Sequence, residues 1–415
     1  MTDTEGTGMM TGTSEWRSHH EAAILPALGR PQRLLVRGEG ALVWDETGAQ
    51  YVDLLAGIAV NALGHAHPAI VEALTAQAST LGHISNFFAS PPQIALAERI
   101  LALASAPVGS SVYFSNSGAE ANEAALKITR RTGRSKIVAV DGSFHGRTMG
   151  ALALTAKTAY REPFEPGVPG VVHVPFGDEA ALRAAVDADT AAVVLEPIQG
   201  ESGVRRHPAG YLTAAREATD SVGALLVLDE VQTGIGRTGS WFAFQDPHIG
   251  EGVTPDVITL AKGLGGGMPI GATLTFGDRV TGLLTPGQHG STFSGNPLAT
   301  AVGLAVLTTI QDEDLLARAA DLGGRMRTAL AALPQITEVS GAGLLIGMEL
   351  RDGNAKAVAG AALDAGWIVN PVTETRLRIA PPLIITDDQL LGFADALPGL
   401  IASVAPGAAD AEGGA

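Results

Sequence analysis

Residues 224–236 read ALLVLDEVQTGIG, an aliphatic run followed directly by acidic residues and a glycine-containing loop. An apolar run without polar alternation is typical of a strand in a parallel sheet that is covered on both faces. The same arrangement recurs as SVYF at 111–114, KIVAV at 136–140, AAVVLEP at 191–197 and DVITLAKG at 256–263. Helical patterns separate these runs. The alternation predicts an α/β fold whose central sheet is mostly parallel and flanked by helices.

The two ends of the chain have a different pattern. Residues 34–55 show short strands around a Glu-Thr-Gly turn, and residues 68–80 carry apolar residues at helical spacing. After Asp312, helical and strand-like segments mix, which predicts a smaller α+β domain. We expect an N-terminal segment (16–68) that joins this small domain, a large domain (69–311), a C-terminal small domain (312–406), and disordered ends at 1–15 and 407–415.

Composition restricts the classes of function. The 415 residues are 46% hydrophobic and 17% charged, which is typical of a globular protein with a large core. The formal net charge of −16 argues against nucleic acid as a partner, and no apolar stretch reaches membrane-spanning length. The absence of cysteine excludes disulfides, thiolate metal sites and a cysteine nucleophile. Because no secretory leader begins the chain, we expect a cytoplasmic protein.

A first candidate site lies where the run SVYF gives way to SNSGAEANEAALKI. Ser117, Gly118 and Ala119 stand at the predicted start of a helix, where backbone N–H groups lack partners within the helix. Together with a serine hydroxyl, such groups form an anion site suited to phosphate. The alternative is an ordinary serine N-cap with no ligand, and this segment alone favours that reading.

Two ionisable residues follow other predicted strands. Asp229 comes directly after LLVL, where a buried carboxylate is costly unless a cation or hydrogen-bond donor meets it. A protonated pyridine nitrogen is such a partner. Lys262 stands between a strand and a glycine run, where burial lowers the pKa of an amine and favours covalent amine chemistry. Taken singly, Asp229 is better explained as a helix or loop cap, and Lys262 fits a surface turn equally well.

Further candidates stand in two other loops. Phe144 follows the run KIVAV, and an aromatic side chain there can stack on a ring or belong to the core. Arg147 can hold a carboxylate through two hydrogen bonds. The hydroxyls of Ser291 and Thr292 stand beside Gly290 and either bind a ligand or turn the chain. A phosphate cradle, a carboxylate for a ring nitrogen, a stacking aromatic and a reactive lysine together form the set that pyridoxal 5′-phosphate (PLP) chemistry requires.

With these residues assembled, the chain resembles the class III aminotransferases of PLP fold type I, and within them the acetylornithine aminotransferase branch. The resemblance covers nearly the whole chain between the two polar ends. It rests on six motifs in the family's order and spacing: FSNSGAEANEAALK (114–127), FHGRT (144–148), LEPIQGESG (195–203), LDEVQTGIGRTG (228–239), LAKGLGGGMPIGA (260–272) and HGSTFSGNPLA (289–299). It implies the PLP fold type I architecture, a large domain plus a small one.

The resemblance also implies which residues bind the cofactor PLP. These are Ser117, Gly118, Ala119, Phe144, Asp229, Gln232, Lys262 and Thr292. Lys262 is implied to form the aldimine and to move the substrate proton, and Asp229 to pair with the pyridine nitrogen. Thr292 is implied to reach the phosphate of a neighbouring subunit, which makes a homodimer with shared active sites part of the expectation.

For the substrates, the resemblance implies that Arg147 binds a carboxylate, and Ser291 is a further candidate for substrate binding. Glu201 and Arg378 are implied to form a switchable pair. Glu201 neutralises Arg378 for an amino donor with one acid group and releases it for the second carboxylate of 2-oxoglutarate or glutamate. Ser202 departs from the pattern, because many relatives have glycine in that position.

The reaction that the resemblance implies is transamination of N2-acetyl-L-ornithine with 2-oxoglutarate, in arginine biosynthesis. Gly57 stands where ornithine aminotransferases have a tyrosine, which favours a donor with a blocked α-amine. Open alternatives are N-succinylornithine, succinyldiaminopimelate, free ornithine or 4-aminobutyrate as donor, and an aminomutase reaction. Outside this class, a non-catalytic PLP-binding regulator, a nucleotide-dependent enzyme built on GLGGG, and a metal site at His65 and His67 are weaker readings.

Overall fold

The computed structural model describes residues 15–404. The disorder that we predict for residues 1–15 and 407–415 lies outside the described residues, apart from Glu15, where the first helix begins. In the described range, no helix is both long and apolar enough to cross a lipid bilayer.

The helices and strands of residues 15–404 follow in chain order. The helices are α1 Glu15–Ala23, α2 Ala56–Ala59, α3 Pro68–Ala78, α4 Pro91–Leu103, α5 Gly118–Arg130, α6 Met149–Leu154, α7 Thr158–Arg161, α8 Glu179–Ala185, α9 Tyr211–Val222, α10 Asp278–Thr281, α11 Pro297–Asp312, α12 Leu315–Ala331, α13 Ala355–Asp364 and α14 Asp387–Ser403. The strands are β1 Leu35–Glu39, β2 Leu42–Asp45, β3 Gln50–Asp53, β4 Ser111–Ser115, β5 Lys136–Val140, β6 Val171–Val174, β7 Thr190–Leu195, β8 Ile198–Gln199, β9 Arg205–Arg206, β10 Leu225–Asp229, β11 Val257–Leu260, β12 Gly271–Thr275, β13 Ile336–Ala342, β14 Leu345–Leu350, β15 Trp367–Ile368, β16 Asn370–Pro371 and β17 Arg376–Ile379. Short 3-10 turns cover Glu162–Phe164, Ala243–Gln245 and Lys262–Leu264.

The central sheet confirms the predicted α/β fold. Its strands lie in the order β4-β12-β11-β10-β7-β5-β6, and the ladders from β11 through β10, β7 and β5 to β6 are parallel. All residues of β7, β10 and β11 are buried, because helices cover both faces of the sheet. The carboxyl ends of β5, β7, β10 and β11 therefore lie at one edge.

Two strands of this sheet, β6 and β12, were not predicted. β12 pairs antiparallel with both β11 and β4, so β4 runs in the same direction as β11. The strand β12 has only five residues, GATLT. It follows a glycine-rich loop, which was the most prominent feature of this part of the sequence. The sheet is therefore mostly parallel, with β12 as its antiparallel strand. Because β4 runs in the same direction as β11, the carboxyl end of β4 lies at the same edge.

The N-terminal and C-terminal segments meet in smaller sheets. The predicted turn at Glu46-Thr47-Gly48 joins β2 to β3, and Asp45 accepts hydrogen bonds from the backbone N–H groups of Thr47 and Ala49. β3 then pairs in parallel with β15, so the N-terminal sheet is completed by C-terminal chain. A second sheet has the order β13-β14-β17-β16. The pairing of β3 with β15 is compatible with the predicted division into domains, whose boundaries stay a prediction.

Candidate active site

A cavity of about 410 Å³ opens where the carboxyl ends of the central strands meet. Open α/β sheets bind ligands at this edge. The cavity is lined by Val60, Asn116, Ser117, Gly118, Ala119, Asn122, Phe144, His145, Gly146, Arg147, Glu196, Asp229, Val231, Gln232, Ala261, Lys262, Gly267, Met268, Pro269 and Ile270. The structure thus brings together eight residues that the sequence singled out, although they come from loops far apart in the chain.

Helix α5 presents its N-terminus to this cavity. The Ser117 hydroxyl caps the helix and accepts the N–H of Glu120 at 3.1 Å, while its predicted role in binding phosphate stays a prediction. A Cβ at Gly118 would lie 2.8 Å from the Val231 side chain, which explains why only glycine fits there. The N–H groups of Gly118 and Ala119 have no acceptor within the helix, so they can donate to an anionic ligand.

Asp229 is a buried carboxylate held by donors from three elements. One carboxylate oxygen accepts the Asn122 amide at 2.8 Å and lies 2.7 Å from His145 Nδ1, and the other accepts the N–H of Val231 at 3.0 Å. Burial by itself raises the pKa of Asp229, but the hydrogen bonds and the charge of His145 more than offset it. The pKa of Asp229 is therefore held below its usual value, and the group is ionised at neutral pH.

His145 is the buried partner of that carboxylate. Burial lowers the pKa of its imidazole, but the hydrogen bond and the charge of Asp229 outweigh burial and raise it above its usual value. Its Nε2 atom is buried and has no hydrogen-bond partner among residues 15–404. The motif FHGRT contains His145, but the sequence alone did not indicate a role for it, because a lone histidine after a strand carries no specific signal.

Lys262 begins the 3-10 turn at the end of β11 and has a left-handed backbone, with φ of +44°. Non-glycine residues rarely adopt this conformation, and such strain is concentrated at functional sites. Burial lowers the pKa of its amine, and the nearby charge of Arg378 acts in the same direction. The glycine run that follows packs tightly, since a Cβ at Gly266 would lie 2.7 Å from Ile70 Cδ1.

Glu196 is a site residue that sequence reasoning missed. It directly follows β7 and lines the cavity, and its carboxylate accepts the N–H of Phe144 at 3.2 Å. Burial raises its pKa to about 8. The available signal was its position after the apolar run AAVVL, which is the same arrangement that pointed to Asp229.

Arg147 lies at the exposed side of the cavity beside two aromatic rings. Its guanidinium carbon is 3.5 Å from the ring centroid of Tyr160 and 5.7 Å from that of Phe144. Such stacking orients a guanidinium while leaving its N–H groups free to bind a carboxylate. Phe144 itself is half-buried and lines the cavity.

The structure brings Glu201 and Arg378 into contact, although 177 residues separate them. Arg378 Nη1 donates to Glu201 Oε1 at 2.6 Å and to Gln232 Oε1 at 3.1 Å, and Nη2 donates to Asn370 at 2.7 Å. Arg378 is 1% exposed. Burial raises the pKa of Glu201, but the charge of Arg378 overcomes this and lowers it. Whether the pair opens for a substrate stays a prediction.

Besides Glu201 and Arg378, two further predicted residues do not line this cavity. Ser291 lines a separate cavity of about 540 Å³, and its hydroxyl accepts the Asn116 amide at 3.0 Å. Thr292 is exposed. Within one chain, neither residue lines the cavity that holds Lys262, so their predicted roles depend on a second subunit or on another ligand position.

The two histidines considered for a metal have other partners. His65 Nε2 lies 2.9 Å from Asp53, and the His67 ring accepts the N–H of Ala69 as the N-cap of α3. Across residues 15–404, no group of three histidine or acidic side chains is arranged to hold a metal ion.

A lysine, a buried carboxylate and the start of a helix line one cavity at the edge of a mostly parallel sheet, which is the arrangement expected of an aminotransferase. A family model of the class-III aminotransferases matches residues 27–401. The chain belongs to the class-III aminotransferase family.

Individual relatives are close in sequence and in structure. The acetylornithine aminotransferase of Mycolicibacterium smegmatis is 56% identical over 95% of this chain and 99% of its own length. The crystal structure of the acetylornithine aminotransferase from Elizabethkingia anophelis is 35% identical, with a TM-score of 0.82 over 94% of this chain and 99% of that one. The ornithine aminotransferase of Toxoplasma gondii, in a structure reported to have partial occupancy of PLP, is 32% identical with a TM-score of 0.88 over 95% and 96%.

We predict that Asp229→Asn lowers the pKa of His145. In the parent protein the carboxylate holds this pKa above 6.5, whereas without the negative charge burial dominates and favours the neutral ring. NMR titration of the histidine rings measures the shift, with His145 assigned through His145→Gln. His207, whose pKa burial lowers to about 4, serves as the internal control and should not move. An unchanged His145 pKa in Asp229→Asn would contradict the pairing.

Proposed function

We propose that this protein catalyses the PLP-dependent transfer of the terminal amino group of N2-acetyl-L-ornithine to 2-oxoglutarate. The products are N-acetyl-L-glutamate 5-semialdehyde and L-glutamate, and the pathway is arginine biosynthesis. Support for the substrate comes from sequence, because the Mycolicibacterium relative named for it is 56% identical over nearly the whole chain. Backbone similarity does not separate the donors, since the ornithine aminotransferase of Toxoplasma gondii has the higher TM-score.

The single observation that carries the proposal is the shared lining of one cavity by Lys262, Asp229 and the start of α5. These are an amine of lowered pKa, a carboxylate that stays ionised, and free backbone donors. An aldehyde, a basic ring nitrogen and a phosphate on one small molecule match the three groups. The residues present therefore fit PLP, which when bound supplies an electron sink for carbanion chemistry.

In this arrangement each residue of the cavity has a defined task. Asp229 would pair with the ring nitrogen of bound PLP, and His145 and Asn122 keep that carboxylate oriented and charged. Gln232 would lie toward the ring hydroxyl, Phe144 would pack on the ring face, and the first turn of α5 would hold the phosphate. Lys262 Nζ would take up the proton of the substrate carbon, a task for which an amine of lowered pKa is suited.

Two arginines would bind the acid groups of the substrates. Arg147, oriented by Tyr160, holds the α-carboxylate of either substrate. Arg378 holds the second carboxylate of 2-oxoglutarate or glutamate after Glu201 leaves it. With a donor that has no second acid, Glu201 stays in place, because a bare guanidinium in this pocket would be an uncompensated buried charge.

The first experiment is the visible absorption spectrum of the purified protein with PLP. We expect a yellow band that disappears when N2-acetylornithine is added without a keto acid, and that returns with 2-oxoglutarate. Lys262→Ala should lose both the band and turnover, while Lys356→Ala, which changes an exposed lysine on α13, should keep them. If the band responds only to free ornithine or 4-aminobutyrate, that amine is the donor instead of N2-acetylornithine. If no band forms at all, the proposal is refuted.

We predict that Glu201→Ala affects the two half-reactions unequally. Without Glu201, Arg378 remains charged and uncovered, which penalises N2-acetylornithine and spares glutamate. The expected loss in kcat/KM is roughly ten- to 100-fold for the acetylated donor, the range of one charge-assisted hydrogen bond, and it should be much smaller for glutamate. Glu201→Gln, which keeps the side-chain shape, is the matched variant. Equal losses in both half-reactions would contradict the switch.

We further propose a homodimer in which Thr292 of one subunit binds the cofactor phosphate of the other. In one chain Thr292 is exposed and outside the cavity, as this role requires. The same surface region exposes Phe87, Phe88 and Phe293, whose relative exposures are 92%, 65% and 57%. Large exposed apolar groups of this kind are typical of surfaces that a partner covers.

Complementation between subunits tests this arrangement. Thr292→Ala should weaken PLP binding roughly tenfold, the effect of one charge-assisted hydrogen bond. A hybrid of a Lys262→Ala subunit with a Thr292→Ala subunit then has one site with both residues intact. We expect the hybrid to recover roughly half of the parental activity at low PLP, since one of two sites is intact. If Thr292 acts within its own subunit, the hybrid recovers no such site, and the proposal is wrong.

A further inference from the structure

Ser202, which departs from the family pattern, lies in the loop that carries Glu201. Its hydroxyl donates to the carbonyl of Gly142, in the turn between β5 and Phe144. Gly142 has φ of +82°, and a Cβ there would lie 2.8 Å from Ser202 Oγ and 2.7 Å from Gln199 Oε1. The two loops therefore approach closely, and the glycine is what makes the approach possible.

Other contacts fix the backbone on both sides of Glu201. Gln199 donates its amide to the Asp141 carbonyl at 2.9 Å, and the N–H groups of Gly203 and Val204 donate to the Gly200 carbonyl. From the opposite side, Arg376 Nε donates to the Gly203 carbonyl at 2.7 Å. Val204 is fully buried in a left-handed conformation, with φ of +61°. The loop is thus anchored by two different parts of the protein.

The Glu201 side chain, in contrast, has space to move. It is 33% exposed and lines a cavity of about 740 Å³ that also contains Ser202, Tyr160 and Arg205. The carboxylate can therefore leave Arg378 by rotating into this cavity while the backbone stays fixed.

We propose that Ser202 is a positioning residue for the exchange of substrates. By tying the loop to Gly142, it keeps the Glu201 carboxylate over Arg378, so that only the side chain moves when a dicarboxylate binds. This inference rests on the proposed function, because it concerns the choice between a one-acid donor and a dicarboxylate at the same site.

The proposal gives a direction for each half-reaction. Without the Ser202 hydrogen bond, holding Glu201 over Arg378 costs more conformational entropy. The acetylated donor needs that closed pair and should bind more weakly. Glutamate needs the pair open, so its binding should stay the same or improve. The chemical step takes place at Lys262 and should not change.

The test compares single half-reactions of the PLP-loaded enzyme, followed by loss of the visible band. In Ser202→Ala, the N2-acetylornithine concentration for half-maximal rate should rise roughly three- to tenfold, the effect of one ordinary hydrogen bond. The value for glutamate should not rise, and both limiting rates should be unchanged. Ser202→Thr, which keeps the hydroxyl, should resemble the parent. Ser221→Ala removes a similar hydroxyl–carbonyl bond on α9 and is the control, in which neither value should change.

The outcomes separate the two proposals. Equal increases for both substrates in Ser202→Ala would show a structural role, and no change would show no role; either result overturns the positioning role of Ser202. If the parent enzyme does not respond to N2-acetylornithine but responds to another donor with one acid group, the proposed substrate fails and the same comparison is made with that donor. If glutamate alone bleaches the band, both proposals fail.

Discussion

The ionised, buried carboxylate of Asp229 is the constraint around which the site is organised. A charge at the end of a central strand is costly to desolvate and persists only if hydrogen-bond donors surround it. Asn122 comes from α5, His145 from the loop after β5, and the third donor is the Val231 backbone. Satisfying this single group fixes the distances between α5, the Phe144 loop and the end of β10, and these three elements form most of the cavity wall.

Arg378, the second buried charge of the site, is surrounded in a different way. Arg378 is surrounded by acceptors on Glu201, Gln232 and Asn370, and Glu201 keeps some contact with solvent. A buried ion pair is weak evidence for stability, because desolvation offsets most of the attraction. In the switch that we propose, its value is in recognition: Glu201 covers the guanidinium until a substrate carboxylate replaces it. Asp229 is locked on several sides, whereas Arg378 has one partner that can move.

The sequence predicts the central sheet well and the site only in part. Buried parallel strands such as β7 and β10 carry a continuous apolar signal that local residues alone produce. β12 has five residues beside a glycine run, and its pairing depends on tertiary context. His145 was missed because its role arises from Asp229, far away in the chain, whereas Glu196 follows an apolar run as Asp229 does and could have been found. The pairing of Glu201 with Arg378 came from the resemblance, since no spacing rule connects residues 177 positions apart.

Donor choice has to depend on a few local contacts. The backbone is more similar to an ornithine aminotransferase than to an acetylornithine aminotransferase, while sequence identity has the opposite order. Gly57, the residue that favours a blocked amine, does not line the cavity, but Val60 does, and a Cβ at Gly57 would lie 3.5 Å from Val60 Cβ. Gly57 also has φ of +64°, so a side chain there is strained within this backbone. Ala56, Ile58 and Ala59 in the same loop also have positive φ, so this backbone accommodates side chains on both sides of Gly57. A side chain at residue 57 would therefore act on the cavity through its contact with Val60 rather than by entering it directly.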